Sequence, residues 1–393
     1  MSSSPTRRIV SLDILKGLVM IIMTLDHVRD YFHYDAFFYD PADLTQTSPA
    51  LFFTRFVTHF CAPVFVALAG TSAYLVGRRM QKKELSLWLL KRGFWLIIVE
   101  FTLVKFAWTF NPDYHTLGLL VIWALGAGMI ALALFIQLPK YISILISVIM
   151  IFGHNALDGF QPEGNGFVSF VWKLLHVQGP VTFGDFTLRI TYPVIPWLGL
   201  MVLGYYFGTL YRPEFEKRRR LKILLYSGIS CVFLFIALRL GNLYGDPSPW
   251  VRQSTPMYSF LSFLNLSKYP PSLLYLLITI GPSLIFLYVF ERFDFSWLKP
   301  VITIGRVPMF WYILHLYVIH IVATIAAVLT GYAFSDTVLT GFISFEPQLK
   351  GYGFSLWAVY LFWIGICLFL YPISKWYDGY KRSNRDKWWL SYL

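Results

Sequence analysis

Three of the ionisable residues in the first apolar stretch of the chain, SLDILKGLVMIIMTLDHVRDYFH (11–33), have a spacing that suits proton and charge chemistry. On an α-helix, positions 13, 16, 20, 23 and 27 fall within about 80° of one another, so Asp13, Lys16 and His27 share one face. Lys16 and His27 are then roughly 16 Å apart along the axis. A row of ionisable groups is costly in lipid and must face a bundle interior or a wet cavity. Histidine gains and loses a proton near neutrality, so His27 suits a general base or a transient acyl carrier. Asp26 adjoins it as a further catalytic candidate. Asp13 and Lys16, at i and i+3, are spaced either to neutralise each other or to leave Lys16 for an anionic ligand.

Other polar residues recur in apolar surroundings: His33, His59, Glu100, Lys105, Arg239, His315 and His320. Glu100 is a candidate partner for a buried base. Arg306 and Lys268, near opposite ends of apolar runs, are candidates with Lys16 for holding an anionic cofactor arm. His315 and His320 are five apart, about 140° around a helix, so one straight helix cannot offer both to one metal. With no HExxH, no CxxC and no acidic cluster, no metal is expected. Cys61, Cys231 and Cys367 sit in apolar segments and read as small fillers. No G-x-S-x-G, Walker loop or Rossmann fingerprint is present, so a serine nucleophile or nucleotide hydrolysis has no support.

The elements that must position these groups are membrane helices. Of 393 residues, 57% are hydrophobic and only 14% charged, with 19% aromatic, and the mean hydropathy is +0.58. A soluble domain carries about 25% charged residues. The fold class is therefore all-α, a polytopic integral membrane bundle. A bilayer crossing needs about 20 apolar residues. Ten runs qualify, at roughly 9–31, 51–77, 86–108, 116–137, 140–157, 190–211, 221–240, 271–291, 301–329 and 354–375, the fifth being the shortest. Arg7 and Arg8 precede the first run with no small-residue cleavage site after it, which predicts an uncleaved helix.

The net charge of +12 does not point to nucleic acid, because the basic residues cluster at helix ends. Counting alternate loops places 22 of the 33 Lys and Arg on the N-terminal side and eight, including Arg29, Arg55, Arg239 and Lys268, on the other. That bias predicts cytoplasmic termini and an inner (plasma) membrane protein. Residues 1–375 form the membrane domain, and 376–393 a basic cytoplasmic tail. The loops 32–50, 158–189, 241–270 and 330–353 on the far side are long and rich in aromatics and turn residues, as binding loops are.

The stretches SLDILKGLVMIIMTLDHVRDYF (11–32), HFCAPVFVALAGTSAYL (59–75), YPVIPWLGLMVLGYYFG (192–208) and GRVPMFWYILHLYVIH (305–320) resemble the bacterial relatives of lysosomal heparan-α-glucosaminide N-acetyltransferase. The resemblance implies a multi-helix enzyme that takes acetyl from cytoplasmic acetyl-CoA and delivers it to a sugar on the far side. Helix 1 is also similar to the acyltransferase-3 enzymes, whose signature is a basic residue, ten residues, then His, the spacing of Lys16 and His27. That family usually has Arg where Lys16 stands, and Lys lacks the bidentate fork. In the lysosomal enzymes the position of His27 looks like Asn and the catalytic His lies further on, where this chain offers His33. The two resemblances name different histidines, and helix geometry favours His27.

Together these readings predict a transmembrane O- or N-acyltransferase. Acetyl-CoA is the expected donor and a glycan or small polar acceptor the second substrate. The lipid bilayer and a second copy of the chain are the expected partners. The competing reading is a proton-coupled secondary transporter, for which intramembrane Lys, Asp and His are equally suitable. Against it, no internal repeat is found.

Overall fold

The computed structural model describes residues 8–164, 166–384 and 386–391; Arg7 and Arg385, among the basic flanks above, lie outside them. Helix α1 spans Val10–Phe32 without a break. Helices α2 (Pro49–Val57) and α3 (Cys61–Gly77) are joined by a 3-10 turn, Thr58–Phe60. Helix α4 (Lys82–Val99) passes through a π-helical turn, Glu100–Val104, into α5 (Lys105–Thr109). Strand β1 (Thr116–Leu119) leads into α6 (Val121–Phe135), followed by α7 (Lys140–Phe152) and α8 (Phe167–Leu175). Strands β2 (Gly179–Phe183) and β3 (Phe186–Ile190) precede α9 (Ile195–Phe207) and α10 (Lys217–Leu240). Then come α11 (Pro256–Leu264), α12 (Leu273–Arg292), α13 (Lys299–Arg306), α14 (Pro308–Leu329) and α15 (Leu356–Ser383).

The protein is an all-α membrane protein with one small sheet. Among the described residues, five helical stretches are long and apolar enough to cross a bilayer: Pro49–Gly77, Lys217–Leu240, Leu273–Arg292, Pro308–Leu329 and Leu356–Ser383. Helices α6 and α7 are apolar but shorter. Helix α1 has the length, at 23 residues, but carries Asp13, Lys16, Asp26, Arg29 and Asp30. Two of the expected runs, 301–329 and 116–137, are interrupted by local chemistry. Pro308 holds Val307 out of the helical region at φ −128° and separates α13 from α14. The 116–137 run begins as a strand. Its partners, β2 and β3, lie in what reads as loop, and the sheet has the order β1-β3-β2 with β1 parallel to β3.

Close helix contact rests on paired glycines. In three crossings a Cβ on either glycine would collide with the opposite helix: Gly17 and Gly305 join α1 to α13, Gly70 and Gly204 join α3 to α9, and Gly93 and Gly126 join α4 to α6; in a fourth, α10 to α12, a Cβ on Gly228 would collide and one on Gly281 would be tight, at 3.0 Å. The tightest is Gly305, whose Cβ would stand 1.9 Å from the Asp13 carbonyl oxygen. Lipid offers no hydrophobic drive between helices, so such backbone approach supplies much of their association. Arg239, at the end of α10 and fully buried, donates to the carbonyls of Ser248, Phe263, Ser262 and Asn265 at 2.7 to 3.0 Å, fixing the 241–270 loop.

Candidate active site

His27, on the face of α1 that its spacing predicts, meets His315 of α14. His27 Nδ1 lies 2.7 Å from His315 Nε2, with the rings stacked at 13°. His315 Nδ1 lies 3.0 Å from the Trp311 carbonyl oxygen. A carbonyl only accepts, so His315 carries its proton on Nδ1, and its Nε2, when the ring is neutral, is a lone pair. His27 must then donate from Nδ1, which leaves its Nε2 as the unprotonated nitrogen. That Nε2 has no hydrogen-bond partner among the described residues, and His27 lines an open cavity of about 850 Å³. Trp108 packs edge-on at 4.8 Å, and Tyr312 also contacts the ring. The arrangement holds an oriented, proton-accepting nitrogen at a cavity wall.

Beside it lies an ion cluster. Asp26 sits 2.8 Å from Arg29 Nη1, 3.1 Å from Arg55 Nη1 and 3.7 Å from Lys268 Nζ. Arg29 Nη2 also binds Asp30 at 2.6 Å. Asp26 therefore faces three cations and makes no hydrogen bond to His27. All five residues line the cavity, as do Cys61, Tyr269 and Tyr312. Burial pushes the Tyr269 phenol up, but Lys268 and Arg55 outweigh it and hold the group below its ordinary range.

The remaining candidates lie elsewhere. Asp13 binds Arg8 at 2.7 Å and stands 3.9 Å from Arg306, which also reaches Asp378 at 3.5 Å. Lys16 donates instead to Ser72 Oγ of α3 at 3.4 Å. Asp13 and Asp26 are thirteen residues apart on α1, so Arg306 and Lys268 sit about 20 Å apart at opposite ends of one helix. His33 is buried; its Nδ1 accepts from the Asp35 backbone N–H at 3.4 Å, and it is not among the cavity-lining residues. His59 packs on Tyr275, and its carbonyl accepts the Tyr275 hydroxyl. Glu100, in the π-helical turn, accepts from the Trp123 N–H at 2.8 Å and so caps the start of α6 rather than orienting a histidine. His320 lies between the carbonyls of Ala107 and Thr337, with its ring stacked on Phe110.

Arg29, Arg55, Trp108 and Tyr312 line the site without having been singled out by the sequence. Arg29 and Arg55 read there as loop cations on the far side, yet both are largely buried. A cation one turn after Asp26 was the available signal. Trp108 follows the π-helical turn, whose extra residue shifts the helical phase, so no wheel drawn from α4 places it.

The apolar helices mark a multi-pass membrane protein, and its charged cavity is lined by residues of several of them. Residues 8–238, more than half of the chain, match the family described as heparan-alpha-glucosaminide N-acetyltransferase, catalytic. The chain belongs to that family and is thus of the membrane acetyltransferase type, which implies acetyl-CoA as donor and disfavours the transporter reading. The matched stretch includes His27, Arg29 and Arg55 but ends before Lys268 and His315. Comparison with curated proteins gives no match.

Proposed function

We propose that this protein moves an acetyl group from acetyl-CoA to a hydroxyl or amine of a sugar-type acceptor, with His27 as general base. The observation that carries this reading is the Trp311–His315–His27 chain of hydrogen bonds, which leaves Nε2 of His27 unprotonated at the cavity wall. In this reading the ten apolar runs cross the inner membrane and both termini are cytoplasmic. The acceptor enters the cavity at the His27 end. The donor approaches from the other end, where Arg8, Arg306 and Arg382 outnumber Asp13 and Asp378 and suit the phosphates of CoA. The thioester supplies the activated acetyl group.

His27 Nε2 takes the proton of the acceptor hydroxyl or ammonium-derived amine as its lone pair attacks the acetyl carbonyl carbon. The resulting imidazolium keeps its Nδ1–H bond to His315, now charge-assisted and stronger. As the tetrahedral adduct collapses and the carbon–sulfur bond breaks, Nε2 returns the proton to the CoA thiolate. Lys16, between the two ends, offers positive charge to the donor arm.

The test is His27→Gln in correctly inserted full-length protein, with acetylation of envelope glycans followed by mass spectrometry. Loss of general-base catalysis is worth about 10²- to 10⁴-fold. Full acetylation by the variant would overturn the assignment.

A further inference from the structure

Charge and hydrogen-bonding capacity do not balance in the ion cluster beside His27. Within ion-pair distance among the described residues, Arg29, Arg55 and Lys268 meet only Asp26 and Asp30; Asp40, on the wall of the same cavity, acts on Arg55 from farther off. The side chain of Lys268 is nine-tenths buried, at 9% exposed, and its Nζ comes no nearer than 3.7 Å to Asp26. Its ammonium makes no hydrogen bond among the described residues, though it has three donors to place. Arg29 Nε, in a side chain 3% exposed, likewise has no hydrogen-bond partner. Arg55 uses Nη1 alone, on Asp26 and Thr58. Buried cationic donors without acceptors are costly, and a cluster that carries both excess positive charge and unused N–H groups is built for an anion. Since all of these groups line the same cavity as His27, the anion and the reacting nucleophile would occupy one chamber.

We propose that Arg29, Arg55 and Lys268 form an oxyanion subsite that takes a phosphate or carboxylate group of the acceptor. The acceptor is then an acidic saccharide or glycerol-phosphate-type molecule, held by its charge while a neighbouring hydroxyl or amine reaches His27. Lys268 and Arg55 are the main ligands, because Arg29 already ion-pairs with Asp26 through Nη1 and hydrogen-bonds Asp30 through Nη2. This assignment rests on the proposed function, in which CoA phosphates bind at the Arg306 end, about 20 Å away along α1. It adds a substrate charge that the acetyltransferase reading alone does not require.

The experiment titrates inorganic phosphate against full-length protein in nanodiscs at constant ionic strength, with chloride as the control, and reads the thermal unfolding midpoint. The wild type is expected to be stabilised by phosphate and not by chloride. In Lys268→Gln the half-saturating phosphate concentration rises on the order of tenfold to a hundredfold, the loss of one charge-assisted bond. Lys268→Arg stays within a few-fold, which separates lost charge from a damaged fold. Phosphate binding that persists under saturating CoA supports an acceptor subsite. Competition between phosphate and CoA would give the cluster to the donor and overturn the proposal, as would a wild type indifferent to phosphate. The His27→Gln assay fails or succeeds independently: lost acetylation without phosphate binding sinks the subsite alone, and phosphate binding with full His27→Gln activity sinks the general-base reading alone.

Discussion

Replacing His315 tests the reasoning about His27 most directly. His315 is fully buried and touches His27 through one nitrogen and the Trp311 carbonyl through the other. In the resting enzyme the His27–His315 bond is neutral and worth about 1 kcal/mol. Once His27 holds the acceptor proton the bond is charge-assisted, at about 1.5–3 kcal/mol. The difference, about 0.5–2 kcal/mol, exists only in the transition state and therefore falls on kcat. At about 1.4 kcal/mol per tenfold, His315→Leu forfeits about 2- to 30-fold from this source. Leucine also removes the acceptor that keeps the proton on Nδ1, so part of the population carries it on Nε2 and cannot act as base. The combined expectation is a loss of about 5- to 100-fold in kcat with KM for donor and acceptor unchanged. His315→Gln, whose amide oxygen can accept the same Nδ1–H, should stay within about tenfold of wild type. Steady-state acetyl transfer by purified protein, with a thermal midpoint for each variant, decides it. Full kcat in a well-folded His315→Leu, or a glutamine variant as poor as the leucine, would refute the tautomer argument.

Three further outcomes follow from the geometry. His33→Ala should retain acetyl transfer within about tenfold and lose about 1 kcal/mol of stability with its bond to the Asp35 N–H; inactivation with an unchanged thermal midpoint would move the base from His27 to His33. Glu100→Leu removes the carboxylate that caps α6, at about 1 kcal/mol, whereas Glu100→Gln keeps an accepting oxygen and should unfold at nearly the wild-type temperature. Gly305→Ala drives a methyl group against the Asp13 carbonyl and should lower stability by about 1–3 kcal/mol, seen as a depressed unfolding midpoint in detergent.

The parts of the site that depend on one uninterrupted helix were legible in the sequence. The stripe at 13, 16, 20, 23 and 27 does face the bundle: Asp13, Met20 and Met23 are buried and His27 lines the cavity. The separation of His315 from His320 around α14 was equally readable, since one meets His27 and the other meets the Ala107 and Thr337 carbonyls. What escaped depends on breaks in the helical period. The 3-10 turn at Thr58–Phe60 sits between Arg55 and Cys61, and the π-helical turn at Glu100–Val104 stands before Trp108. Each resets the phase, so that a hydropathy run looks continuous while its two halves present different faces. The sheet escaped for another reason. Its parallel pairing joins Thr116 to Thr187 across some seventy residues, and no local pattern in 116–119 announces a partner so distant.

Helix α1 links these observations to the chemistry. Among the described residues it is the one element that touches both ion networks, Asp13 with Arg8 and Arg306 at one end and Asp26 with Arg29, Arg55 and Lys268 at the other. A transferase whose two substrates arrive from opposite ends needs such a strut to fix the distance between their charged groups. Between Asp13 and Asp26 the helix carries no proline, and its one glycine, Gly17, lies against α13, where packing holds it. His27 stands next to the second network rather than midway. In the proposed function the base is thus placed with the acceptor, and a donor held near Arg306 must extend its acyl arm along α1 past Lys16 to reach it. The long, flexible pantetheine arm of CoA suits that geometry, while a short, rigid donor would leave the two reacting groups on opposite sides of the helix bundle.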